Sequence, residues 1–269
     1  MKQNFESIAS YFLELASEQR LLILKELSKK PSRINTLAKK LEVTPQEIHR
    51  NLDRLAVAGM VKKGISDNYV ITTPGNVMFS QTSMISFLTK NKKYFDSHNL
   101  EGLPTKFTRR LGVLEGCEHV KGVTAVLDRW RQIYTNSKEY VYDILSESPP
   151  EMMVPLVKRI KQGAIYHHII SKEFAEPENR ESSLEKLGYY DFIAKGQIQR
   201  KEKNHVSIML LANEKEAAII LPTTNDEPDL RHMFYGTGSG FHEWCLDYFE
   251  FVWKKTQKLS RVKPVKTRK

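Results

Sequence analysis

Cysteine is nearly absent: only Cys117 and Cys245 occur among 269 residues. Two thiols cannot frame a disulfide scaffold, which excludes the small secreted folds and fits a reducing, cytoplasmic setting. No apolar run approaches the ~20 residues that a membrane-spanning helix needs. The N-terminus also lacks the charged-then-apolar pattern of a secretion signal. No internal repeat is evident. What is present is an ordinary hydrophobic fraction, 40%, in a chain long enough for two folded domains.

Charge is plentiful but unevenly placed. The net charge is +10, of which residues 1–90 carry +5, residues 91–253 carry −3 and residues 254–269 carry +8. A slightly acidic middle is a poor surface for phosphates, so the positive field belongs to the first third and to the end of the chain. Lys254 to Lys269 lacks periodicity and contains Pro264, which reads as a basic, largely disordered tail. Such a tail either adds sequence-independent attraction to phosphates or simply solubilises the protein.

The richest segment runs from Glu18 to Thr72. Thr44-Pro45-Gln46-Glu47 has an N-cap residue, a proline at the first helical position and a glutamate that closes a capping box. Ile48, Leu52 and Leu55 follow at i, i+4 and i+7 as an inward stripe, while Gln46, His49, Arg50 and Asp53 share the opposite face. Ahead of it, Ile34, Leu37, Ala38 and Leu41 predict a short amphipathic helix separated from Thr44 by Glu42 and Val43 alone, which makes a helix-turn-helix. Arg20 to Leu27 reads as a buried helix, and Ile8, Tyr11, Phe12 and Leu15 as another one-sided helix. Gly59 predicts the stop of the Thr44-capped helix. Two β-rich runs, Met60–Ile65 and Tyr69–Thr72, then flank the polar Ser66-Asp67-Asn68 and predict a hairpin.

This order resembles the arsenical-repressor-like winged helix, in which "SEQRLLILKEL" matches the second helix and "HRNLDRLAVAGMVKKG" runs from recognition helix into wing. The resemblance implies binding to double-stranded DNA. It does not imply metal sensing, because Leu41-Glu42-Val43 stands where the family's sensors carry paired cysteines. Gln46, His49 and Arg50 are the base-reading candidates, since Gln, His and Arg hydrogen-bond base edges and phosphates. Thr44, Arg54, Lys62, Lys63, Asn68 and Tyr69 complete the DNA-contact set, with the two lysines at the wing's base and Asn68 at its tip. The plain alternative for each is a solvated surface residue.

Thr73-Pro74 predicts the start of a long helix through Val77, Met84, Ile85, Leu88 and Phe95, broken between Asn99 and Pro104. Beyond it, helices are predicted over Leu114–Asn136, Pro150–Lys161 and Phe241–Gln257. Strands are predicted over Glu139–Leu145, Ala164–Ile170, Asp191–Gln199, His205–Ala212 and Glu216–Leu221. The first two strands and their helix form a βαβ unit. The stretches "YFDSHNLEGLPTKFTRRLGVLEG", "VLDRWRQIYTNSKEYVYDI" and "FHEWCLDYFEFVW" look like the sensor half of the archaeal methanogenesis-regulatory transcription regulators. The resemblance implies an archaeal regulator with an N-terminal DNA reader and a C-terminal effector domain; a homodimer whose effector is a small molecule or a partner is the further expectation. The strand order also looks similar to a phospholipase D-like lobe. The expectation is therefore α+β: a winged helix-turn-helix domain (1–73), a connecting or dimerisation helix and linker (74–104), an α/β sensor domain with a mixed sheet (105–257) and a basic tail (258–269).

Catalytic chemistry is not expected. Phospholipase D-like catalysis needs a His-x-Lys pair with an Asp five residues after the Lys. His119-Val120-Lys121 supplies the pair, but Val126 occupies the acid's place and Asp128 comes two residues late. His167 and His168 would point to opposite faces of a strand. His242 and Cys245 lack a third partner, and Gly236-Thr237-Gly238-Ser239-Gly240 lacks the lysine of a phosphate loop. No metal or cofactor is expected. Tyr142, Tyr166, His168, Arg200 and His205 lie on predicted strands and are the candidate effector contacts. The rival readings are a nucleoid-associated protein that binds DNA without sequence preference, and a phosphodiesterase.

Overall fold

The computed structural model describes residues 5–173 and 180–258. The basic tail expected over 258–269 lies almost wholly outside the described residues. The chain divides into two compact units, Met1–Ile85 and Ser86–Lys269.

The first unit contains helices α1 (Phe5–Leu15), α2 (Glu18–Lys29), α3 (Ile34–Leu41) and α4 (Pro45–Val57). A hairpin of β1 (Val61–Lys63) and β2 (Tyr69–Ile71) follows, and then helix α5 (Thr73–Ser80). Its core is the one that the periodicity picks out: Ile23, Leu24 and Leu27 from α2, Leu37 and Ala38 from α3, and Ile48, Leu52 and Leu55 from α4, closed by Met60 and Val61. On α1 the expected stripe splits. Tyr11 and Leu15 pack on this core, while Ile8 and Phe12 are exposed. Gly59 takes φ +71°, and Met60 N–H donates to Leu55 O at 2.8 Å, which ends α4 as a glycine C-cap does. Gly75 is required for a different reason. A Cβ there would sit 2.0 Å from the Met60 carbonyl oxygen, so α5 can meet the backbone at Met60 only without a side chain.

The long helix expected after Thr73 is three pieces: α5, α6 (Thr82–Lys90) and α7 (Lys92–Phe95). Hydroxyls explain the first break. Ser80 Oγ, Thr82 Oγ1 and Ser83 Oγ donate to the carbonyls of Val77, Phe79 and Ser80 at 2.6–2.9 Å, competing locally with the helix ladder. At the second, Asn91 Nδ2 donates to Phe87 O at 2.9 Å. Phe87 is buried and meets Phe95 and Phe234 edge-on, so the second core begins before the Asn99–Pro104 break.

The second unit continues with α8 (Thr105–Thr108), β3 (Glu118–Lys121), α9 (Val123–Asn136), β4 (Tyr140–Leu145), α10 (Met153–Lys161) and β5 (Ile165–Ser171). Then come α11 (Arg180–Lys186), α12 (Tyr189–Ala194), β6 (Ile198–Lys203), β7 (Met209–Asn213), β8 (Ala217–Ile220), β9 (His232–Gly236), α13 (Ser239–Lys255) and β10 (Gln257–Lys258). One eight-stranded mixed sheet has the order β10-β6-β5-β4-β7-β8-β9-β3. β4, β5 and β6 are mutually parallel, as the βαβ reading requires for the first two, and the other pairings are antiparallel. α9 covers the face that carries Asp143, through Tyr134, and α13 covers the opposite face, through Phe249 on Tyr142.

Three sequence expectations give way here. Leu114–Asn136 is not one helix, because β3 precedes α9. Gly122, at φ +94°, separates them and its N–H donates to Arg231 O at 2.8 Å, tying the turn to the sheet edge. Asp191–Gln199 begins as helix α12, set between Gly188 and Gly196, both at positive φ, before β6 starts at Ile198. Strand β9 lies over His232–Gly236, where no strand was expected.

Candidate nucleic-acid interface

Helix α4 begins at a closed capping box. Thr44 Oγ1 accepts from Glu47 N–H at 3.2 Å, and Glu47 Oε2 accepts from Thr44 N–H at 3.1 Å and from Thr44 Oγ1 at 3.0 Å. These donors, the backbone N–H first, hold the Glu47 carboxyl below its ordinary pKa. With Pro45 at the first turn, the direction of α4 is fixed at its start. Ile48, Leu52 and Leu55 are fully buried, and the same rotation leaves Gln46, His49, Arg50 and Asp53 exposed. Asn51 joins the buried side by donating to Glu47 O at 2.9 Å.

The outer residues are not equally available. His49 Nδ1 lies 2.8 Å from Asp53 Oδ2, one turn on. Arg54 forks onto Glu14 of α1, with Nη2 to Oε1 at 2.7 Å and Nε to Oε2 at 3.1 Å. Glu14 is itself buried, and Arg20 lies 3.2 Å from it while donating to the Glu14 and Leu13 carbonyls at 2.7 and 2.9 Å. Arg54, a candidate phosphate contact, is thus part of a clamp between α1 and α4. The hydrogen bond from Arg54 is the main cause that holds the Glu14 carboxyl below its ordinary range. Among the described residues, none hydrogen-bonds or ion-pairs with the side chains of Gln46, Arg50 or Lys62.

The hairpin keeps its register through Lys62 opposite Val70 and Lys63 opposite Tyr69. Lys63 Nζ binds Asp67 at 2.8 Å, an exposed pair. Asn68 stands after the tip, half-buried, with Nδ2 donating to Ile65 O at 3.2 Å; the tip itself is Ile65-Ser66-Asp67. Tyr69 is half-buried against the core and bridges to Ser32 by backbone bonds of 2.8 and 3.1 Å, which makes its position structural.

In the second unit the five effector candidates do not converge. Tyr166 and His168 turn inward. Both bind Asp143, which also accepts from Tyr134 Oη at 2.5 Å; the Tyr166 Oη bond is 2.9 Å. Burial, with the charge of Asp143, pushes both tyrosine hydroxyls far above their ordinary pKa. Arg200 is the strand neighbour of His168, and its Nε is buried without a hydrogen-bond partner among the described residues. Tyr142 belongs to the opposite face, stacked between Tyr140, His167 and Phe249 at 4.4–5.0 Å. His205 sits at the surface, bonded to Glu173 at 2.8 Å and to Asp226 O at 2.9 Å.

A second polar cluster has no sequence signature at all. His119 Nε2 and His232 Nδ1 are 3.0 Å apart, and His98 Nε2 lies 3.3 Å from Asp229 Oδ2. Tyr94 stacks on His98 at 3.8 Å and meets both other imidazoles edge-on. Burial drives His119 down to about 4 and lowers His232, with Lys121 adding to both effects. Among the described residues no group of three His, Cys, Asp or Glu side chains is arranged to hold a metal. His119 and Lys121 lie on edge strand β3, Val126 is fully buried on α9, and Asp128 is taken by Arg131 at 3.0 Å.

No protein-family model and no curated protein matches the chain. Among solved structures it is similar to TrmBL2, described as an archaeal chromatin protein with a novel mode of DNA binding. The identity is 14%, with 96% of each chain covered and a TM-score of 0.43. It is also similar to Nuc from Salmonella typhimurium, a phospholipase D family member, at 11% identity over 54% of this chain and 99% of that one, with a TM-score of 0.40. At those identities and scores neither likeness transfers a role to this chain.

Proposed function

We propose that this chain is a winged helix-turn-helix DNA-binding transcriptional regulator that reads its operator with α4. The single observation that carries the reading is the presentation of α4: its start locked by a capping box, its inner stripe fully buried, and Gln46, His49 and Arg50 exposed in one row. A helix held in this way can place the outer side chains of its first turns at base edges in the major groove. Arg50 is the strongest candidate reader, being exposed, without a hydrogen bond or ion pair among the described residues, and capable of a bidentate contact to guanine. Lys62 is suited to phosphate, and Lys63 can exchange Asp67 for phosphate at small cost because their pair is exposed.

A homodimer would set two α4 helices against half-sites about one helical turn, or a multiple, apart. An effector bound to the second unit would shift the affinity by favouring one spacing of the reading heads. A second reading, binding without sequence preference, is favoured by one observation: His49 already holds Asp53, which leaves Gln46 and Arg50 as the side chains of the α4 reading row without a hydrogen bond or ion pair among the described residues.

Selection of bound fragments from sheared genomic DNA tests the proposal. A shared, symmetric pattern that survives excess random duplex supports a specific regulator, because specific sites exceed non-specific ones by about 10³ or more. Retention of fragments with no shared pattern would leave the non-specific reading, and retention of none would reject both.

A further inference from the structure

We propose that Ile65, at the tip of the hairpin, is an apolar wedge that enters the minor groove of duplex DNA and opens a base step, so that the bound duplex is bent. The inference rests on the DNA-binding reading above and adds a mode of contact to it. Ile65 is 89% exposed, although it is a large β-branched side chain. A lone exposed isoleucine needs no explanation by itself. What sets it apart is the backbone, which holds it in a fixed direction.

Ser66 and Asp67, neither of them glycine, both take left-handed conformations, at φ 57° and 59°. That is the backbone of a primed hairpin turn, whose two left-handed residues match the twist of the strands it joins and so hold the tip in one shape. The fixing contacts are all present. Gly64 N–H donates to Asn68 O at 2.6 Å, and Asn68 returns its own N–H and its Nδ2 to Ile65 O at 3.3 and 3.2 Å. Lys63 binds Asp67, and Arg33, at the start of α3, donates to Ser66 O at 3.2 Å. The tip is therefore a braced turn, not a loose loop, and what it braces is an apolar side chain pointing away from its own core.

The surroundings favour nucleic acid over another apolar surface. Lys63 and Arg33 contact the tip, Lys62 precedes it on β1, and Asp67 is held by Lys63, which depresses its pKa. An apolar point among cations matches a groove whose floor is unstacked base and whose rims are phosphate. Wedges of this kind, Ile among them, kink duplexes by roughly 20–90° toward the major groove. The step opened should be a pyrimidine–purine step, which unstacks most readily.

The test is a bending measurement on the full chain. A short duplex with a central TA step, carrying a fluorophore at each end, is titrated with wild type, Ile65→Ser and Ile65→Leu, while anisotropy follows binding separately. Circular dichroism confirms the fold of each variant, which a change at an exposed tip should not disturb. The proposal expects saturating wild type and Ile65→Leu to shorten the end-to-end distance, and Ile65→Ser to bind the duplex but lose the shortening. Binding by wild type without bending, or equal bending by Ile65→Ser, overturns the wedge and leaves the DNA-binding reading intact. Failure of wild type to bind any duplex overturns both.

Discussion

Glu14 shows how much one residue decides. It is a buried carboxylate on α1 between two arginines, one of which belongs to α4. Removing its charge leaves Arg20, also buried, facing a neutral group. Glu14→Gln should cost about 1–3 kcal/mol, below the usual figure for breaking a buried pair because Arg54 is half in solvent. Chemical denaturation would read the cost. The pH dependence has a fixed sign. The folded pKa of Glu14 is depressed, so its stabilisation is present above the ordinary carboxylate range and is lost as pH falls through the folded value. Glu14→Gln should therefore also flatten the acid limb of the stability curve. Unchanged stability would mean that the clamp contributes nothing.

At the level of elements, two joints are exposed to test. Gly75→Ala places a methyl against the Met60 carbonyl and should destabilise the first unit by about 1–3 kcal/mol through overpacking. A melting temperature equal to wild type would contradict the close approach. The other joint is the His98–His119–His232 cluster, which faces Asp229, Arg231 and Lys121 from β3, β9 and the loop before β9. His119 and His232 have folded pKa values below the ordinary imidazole value. The unfolded chain therefore takes up protons that the folded one refuses. Stability of the second unit should fall as pH drops from about 6.5 toward 4. The double change His119→Asn and His232→Asn should shallow that fall in thermal melts followed across pH; an unchanged slope would contradict the account.

These elements also show what a sequence discloses. Capping, inner stripe and glycine stop in α4 are local signals, all within 16 residues of Thr44, and the fold uses them as read. The sheet is less transparent. Edge strand β3 has four residues and only Val120 buried, so its pairing with β9 leaves almost no periodic trace. Asp143 did carry a signal, a lone carboxylate inside the apolar run Tyr-Val-Tyr-Asp-Ile-Leu, whereas Tyr134 joins it only through tertiary packing. The three imidazoles come from positions 98, 119 and 232, and no spacing rule links them. The clamp on Arg54 is equally invisible, since Glu14 lies 40 residues away.

For the whole molecule, the charge distribution sets the expectations. The positive excess lies at residues 1–90 and 254–269, and the exposed cations of the candidate interface include Arg50 and Lys62. Replacing Lys62 and Lys63 by Ala should weaken binding to all duplexes alike and lower the slope of log affinity against log salt by about 1–2, one unit for each phosphate no longer neutralised. Titrations at several salt concentrations measure this directly. A change in sequence preference with the slope intact would instead make the β1–β2 hairpin a reader of bases.

The most direct test of the central claim, that the outer row of α4 enters the major groove, is methylation protection of guanine N7 on a selected operator. Wild type should shield one guanine in each half-site. Arg50→Ala should lose that protection and about 1–3 kcal/mol of specific affinity while still binding random duplex. Undiminished protection and affinity in the Gln46→Ala, His49→Ala, Arg50→Ala triple variant would contradict it.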